Sequence, residues 1–266
     1  MNLETAILLS HRALAFALFL MGFEFYLLGR NPSFLKIWTY ENLKSELLAG
    51  LPLPSKLIET VWSEKSLRFL GLVQILCSVI CFFNHSAFVL IILFLIHLVN
   101  TIRFRGTYNG GSDMMIIVVL TGLIMTALAP PEYQKMGLIY IAIHALYSYI
   151  KSGYSKLIQP EWRNGSALAA FLERSQLTPI RTTATWLKTN GSPYRIVFMI
   201  LCWSVIIFEI LIIGVPFFSN VLKFYFVGAV IFHFVVYVLF GLNRFFWAWL
   251  SAWPAIFFSL GQQLFN

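Results

Sequence analysis

Lys156 stands in "SYIKSGYSKLIQPEWRNGS", residues 148 to 166, just past the end of a mostly apolar run. A lysine there is an interfacial anchor, a snorkelling surface residue, or a base at the edge of a dry cavity. The first two need only an ammonium that reaches the interface. The third needs desolvation that favours the neutral amine. Glu209 lies near the middle of another apolar run. A lone carboxylate there is expensive, so Glu209 is expected to be protonated or paired, with His233 and His144 as leading partners.

Other polar residues share helix faces. His97 and Asn100 are three apart, just before Arg103. His144, Ser148 and Lys151 follow at spacings of four and three, and His233 and Tyr237 run in line with Arg244. Side chains at these separations are neighbours on a helix. Glu24 falls near one end of the first apolar run. The stretch "RFRGTYNGGSDMM" holds a turn, Asn109-Gly110-Gly111, leading into a helix with Ser112 or Asp113 as the expected N-cap. Its backbone N–H groups suit an anionic or carbonyl oxygen; the plainer reading is a helix start after a tight loop.

The elements that position these residues follow from composition. The chain is 59% hydrophobic and 11% charged, against about 45–50% and about 25% in soluble domains. That implies an integral membrane protein, read as one all-α domain over residues 1–266. A span needs about 20 apolar residues. Seven runs qualify by this reading: Ala6–Leu28, Leu67–Phe83, Ala87–Ile102, Met114–Leu128, Met136–Ile150, Ile196–Phe218 and Val221–Leu242. An eighth, Phe245–Leu260, carries Trp247, Trp249 and Trp253; it either spans or lies at the headgroup level that tryptophan favours. A polytopic bundle of seven to eight spans is expected. The first run is too long, and holds too many polar residues, for a cleaved signal peptide. Cys77 and Cys81 are read as apolar packing residues, four apart on one helix. No CxxC, HExxH, GxGxxG or P-loop occurs, so neither a metal site nor a nucleotide site is expected.

Two polar connections are long, 29–66 and 151–195, and alternation of spans puts both on one side, here side B. Of the 19 lysines and arginines, all but Arg12, Lys135 and Lys223 fall on side B. The positive-inside rule makes side B cytoplasmic and the N-terminus external. The net charge of +8 reflects this asymmetry, and nucleic acid is not expected as a partner. The polar residues also gather toward side B, on at least five spans. Either they line a cavity opening to side B, with His97, Asn100, His144, Glu209 and His233 in its wall, or they form a packing network.

The combination resembles the HTTM (horizontally transferred transmembrane) domain, related to the membrane domain of vitamin K-dependent γ-carboxylase. The residues that carry the likeness are "YNGGSDMM" before one span, Gly153-Tyr154-Ser155-Lys156-Leu157, Trp162 with Gly165 three residues on, and Glu209 with "FHFVVYVLFGLNRFF". It covers roughly residues 10–255. The resemblance implies that Lys156 is a catalytic base toward a reduced quinone. It implies that Trp162, Asn109, Gly110, Asp113 and Arg103 stand beside the residues above. It also implies a lipidic or peptide substrate, or maturation of a secreted peptide, in the bacterial cytoplasmic (inner) membrane. Gly111 stands where the carboxylase has a histidine, and the carboxylase works on the luminal face whereas the charge bias turns this motif inward. The competing expectation is a non-catalytic scaffold or accessory subunit with a structural polar network.

Overall fold

The computed structural model describes residues 1–104, 110–175, 177–189, 192–218 and 221–261. Helix accounts for 86% of it, with no strand among the described residues. Five helices are long and apolar enough to cross a membrane: α1 (Leu3–Leu28), α5 (Glu64–Phe83), α7 (Gly110–Leu128), α12 (Ser192–Leu211) and α13 (Leu222–Phe240). The chain is thus a multi-pass helical bundle of the integral membrane class. Large apolar side chains point outward along these helices, among them Phe69, Leu76, Ile200, Ile207, Phe224 and Ile231. On a soluble protein such a surface would be an aggregation liability; against lipid it is the expected exterior.

Helix α6 (Ala87–Arg103) follows α5 after only Asn84, His85 and Ser86, the tight hairpin read from the sequence. The first long connection is helical too, as α2 (Pro32–Ile37), α3 (Tyr40–Gly50) and α4 (Ser55–Trp62). The second holds α9 (Pro160–Arg163), α10 (Ser166–Glu173) and α11 (Thr178–Thr189). Close crossings of small residues join the bundle, Gly22 against Gly71 between α1 and α5, and Gly122 against Gly137 between α7 and the next helix.

That next helix, α8, corrects the sequence reading. It spans Lys135–Ile158, eight residues beyond the expected end at Ile150. Lys156 therefore sits in the last helical turn and not in the connection. The helix ends where Gln159, before Pro160, turns extended with φ −85° and ψ 123°, the conformation a following proline favours. Polar residues at 144, 148, 151, 152 and 156 lower its hydropathy without breaking it, because the helix packs against α7, α12 and the last helix, α14 (Asn243–Ser259), with Ser152 and Lys156 meeting α12.

Helix α14 is drawn into the bundle and does not stand apart from it. It packs inside the bundle against α1, α7, α8 and α13, with Trp249 and Trp253 buried. Tryptophan's headgroup preference holds for rings with a wet edge. Here aromatic partners replace the lipid boundary: Tyr149 meets Trp249 edge-on at 4.7 Å, and Phe226 meets Trp253 at 5.3 Å.

Candidate functional site

The closest meeting of opposite charges lies between α8 and α12. Lys156 Nζ donates to Glu209 Oε1 at 2.8 Å and Oε2 at 2.7 Å, and to Ser152 Oγ at 2.5 Å. Ser152 Oγ in turn donates to Glu209 Oε1 at 3.1 Å. The side chains are 17% and 5% exposed, so the pair is largely withdrawn from solvent. The Trp162 ring covers the ammonium, with Nζ 5.1 Å from its centroid, a cation–π distance.

Local sequence explains the approach. Gly153 is one turn before Lys156, and a Cβ there would stand 2.8 Å from Ile210 Cγ1 and 3.0 Å from Glu209 Cβ. Only glycine lets α8 come this near to α12 at Glu209. Gly165 has φ +85°, where side chains are strained, and a Cβ on it would meet Met199 N at 2.6 Å. Trp203 Nε1 donates to the Arg163 carbonyl at 3.2 Å. The segment from Gly153 to Gly165 thus grips α12 at two levels, with Lys156 and Trp162 between them.

The expected partners of Glu209 were His233 and His144, and neither fills that place. His233 Nε2 is 2.6 Å from Tyr149 Oη, and its ring stacks on Trp249 at 5.0 Å. Tyr149 is thereby a site residue the sequence reading passed over; it lies one turn before Gly153 on the same face. His144 is half-buried, packed on Tyr140 at 4.2 Å, and its Nδ1 donates to the Tyr140 carbonyl at 2.9 Å. That bond turns it along its own helix. Spacing of three and four put His144, Ser148 and Lys151 on one face of α8, whereas the residues that meet α12 are Ser152 and Lys156.

A second ionic group forms near the start of α14. Arg244 Nε lies 3.8 Å from Glu24 Oε2, and Arg244 Nη1 lies 3.8 Å from Asp113 Oδ1. The guanidinium also sits over Phe25 at 5.8 Å. Asp113 and Ser112 are in the first turn of α7, which begins at Gly110, so neither is the N-cap; Asn109 lies outside the described residues. His97 Nε2 donates to the Asp113 carbonyl at 2.9 Å, which fixes its tautomer. Asn100 is buried with both amide atoms unpartnered. Arg103 Nη2 donates to the Ser63 carbonyl at 3.1 Å and Ser66 Oγ at 3.0 Å, pinning α6 to the α4–α5 junction. The five residues expected around one cavity therefore enter separate contacts: Lys156 with Glu209, Tyr149 with His233, His97 with α7, and His144 on its own helix. Neither His97 nor His144 is a partner of Lys156.

A third group lies at the other end of the bundle and was not anticipated. His11 Nε2 is 3.5 Å from Cys81 Sγ, and the His11 ring meets His85 edge-on at 4.1 Å. Burial, with Arg12 adding its positive charge, holds the His85 imidazole below its ordinary value. The spacing of four between Cys81 and His85 across the end of α5 was the available signal. Comparison with known families, curated proteins and solved structures gives no match.

The pair makes a stability prediction. Lys156→Met leaves Glu209 withdrawn from water without its cation and should cost about 3–5 kcal/mol, whereas Lys156→Met with Glu209→Leu should recover most of the loss. Unfolding of the purified variants in mild detergent reads both. A single variant as stable as the parent would mean that the charges are solvated and uncoupled.

Proposed function

We propose that the chain is a membrane enzyme of the HTTM type in which Lys156, held by Glu209, acts as a base on a lipidic or peptide substrate at the membrane surface. One observation carries the reading: an ammonium and a carboxylate 2.7 Å apart, from different helices, both largely out of water. Helix cohesion alone does not ask for charges here, since apolar side chains of equal volume hold such a contact at least as well. Ionisable residues at membrane depth usually mark a working site.

The chemistry needs only this chain's groups. Transfer of a proton from Nζ to Glu209 turns the ion pair into a neutral amine beside a protonated acid. The amine then takes the proton of an acidic O–H or C–H on the substrate, and Glu209 returns its proton as the product leaves. Ser152 Oγ holds the nitrogen in place, and the Trp162 face shields it from water. A reduced quinone, which the resemblance implies, carries such an acidic O–H, and Lys156, Ser152 and Glu209 are the residues that would hold it.

The alternative is a latch in a non-catalytic scaffold or accessory subunit, and the seating of Gly153 and Gly165 on α12 favours it. Arginine separates the two readings. It preserves the positive charge but is effectively never deprotonated. In cells compared by lipid and secreted-peptide profile, Lys156→Arg should insert and melt like the parent yet give the profile of cells lacking the chain. A parental profile from that variant would assign the pair to the latch.

The span count on this reading is seven to eight, with α6, α8 and α14 joining the five helices that are both long and apolar enough to cross. Helix α8, of 24 residues, is about 36 Å long, enough for a bilayer core. The bacterial cytoplasmic membrane is the setting the resemblance implies, with both long connections inside. Single cysteines at Ser45 and Thr185, both exposed, should resist an impermeant thiol reagent in intact cells and react after lysis. Reaction of both in intact cells would invert the orientation.

A further inference from the structure

Away from Lys156, at the opposite end of the bundle, a cavity of about 480 Å³ opens between the starts of α1 and α6 and the end of α7. Small-molecule sites typically enclose roughly 300–1,000 Å³. It is separate from the Lys156 pair: Lys156 lies 21 residues from the first residue of α8, about 32 Å along the helix, and Gln134, just before that helix, is in the cavity wall.

Its wall divides by chemistry. Leu90 and Leu123, both buried, form an apolar floor. Glu4, His11, His85, Gln134 and Thr126 supply the polar groups, the Thr126 hydroxyl being taken up by the Gly122 and Gln134 carbonyls. His11 is 1% exposed, with Cys81 Sγ 3.5 Å from its Nε2 and 3.9 Å from its Nδ1, and its ring meets the His85 ring at 4.1 Å. An imidazole so held is a positioned group rather than a surface rotamer. Among the described residues that line the wall, the one formal charge is the carboxylate of Glu4, at the exposed rim. Arg12, next to His11 in sequence, lies over the Phe82 ring at 5.6 Å and, like Lys135 beside Gln134, is not among the lining residues. A neutral imidazole offers a ring-nitrogen lone pair as acceptor, and burial with the Arg12 charge keeps His85 in that form near neutral pH.

A carboxylate at the rim, an acceptor-bearing imidazole wall and no cation together disfavour an anionic head and favour one that donates hydrogen bonds. The apolar floor asks for a hydrocarbon body. The level, at the ends of apolar helices, is where an amphiphile's head rests. We propose that this cavity binds an apolar molecule with a hydrogen-bond-donating head, a hydroxyl or an amine, with the head against His11 and His85 and the body on Leu90 and Leu123.

The test uses the full chain in lipid nanodiscs, titrated with 1-decanol, decylamine and decanoate, with bound probe counted above partition into empty nanodiscs. Decanol and decylamine should bind saturably, and decanoate at least tenfold more weakly. Ala127→Trp places a large side chain in the cavity mouth from an exposed position of α7 and should abolish saturable binding. His85→Ala leaves the cavity open, removes one acceptor, and should weaken decanol roughly fivefold. Absence of saturable binding by both decanol and decylamine overturns the site. So does binding that both variants leave unchanged, and decanoate binding as tightly as decanol overturns the head assignment.

Discussion

A lysine and a glutamate that leave water together must stay together, and much of one side of this bundle follows from that requirement. Lys156 and Glu209 come from helices that are 53 residues apart in sequence. They reach 2.7 Å only because Gly153 has no side chain to hold α8 away from Ile210. The same demand keeps α8 helical through a run of serines and lysines that hydropathy alone would end. It also accounts for the fold-back after Pro160, which returns Trp162 over the ammonium and seats Gly165 on α12.

The remaining charges within the bundle obey the same rule by other means. Arg244 is met from two helices, by Glu24 and Asp113, and Arg103 is absorbed by carbonyls and a hydroxyl at the α4–α5 junction. These contacts tie α14, α7 and α6 to the bundle, where a charge without a partner would cost far more than any single bond gains. Lys156 differs in having a carboxylate, a hydroxyl and an aromatic face supplied together, by Glu209, Ser152 and Trp162. The far end of the bundle relies on neutral groups, two histidines and a thiol, around an open space.

The long apolar helices were legible in the sequence, because apolar length and the three-residue turn at Asn84–Ser86 are local signals; the short helices of the two long connections, and the ends of α8 and α12, were not. Lys156 and Glu209 were both legible as unusual. Their pairing was not, since periodicity on one helix gives a face but not the helix opposite. Glu209 was accordingly assigned to His233 and His144, while Tyr149 and Ser152, each within two turns of Lys156, drew no notice. The tryptophans of α14 left two placements open, because their interfacial preference is an average; Trp249 and Trp253 are buried among aromatic rings. His11, Cys81 and His85 belong to three different elements, the third a short turn, so only the folded chain shows that they meet.

The central claim is that Lys156 and Glu209 form one coupled pair shielded from water. Nitrogen-15 NMR of lysine-labelled protein in nanodiscs tests it most directly, with the Lys156 Nζ signal assigned by its loss in Lys156→Arg. The account predicts a Lys156 signal with slowly exchanging hydrogens, displaced from those of the other lysines and shifted by Glu209→Gln. A Lys156 signal that exchanges like an exposed lysine and ignores that substitution would contradict it.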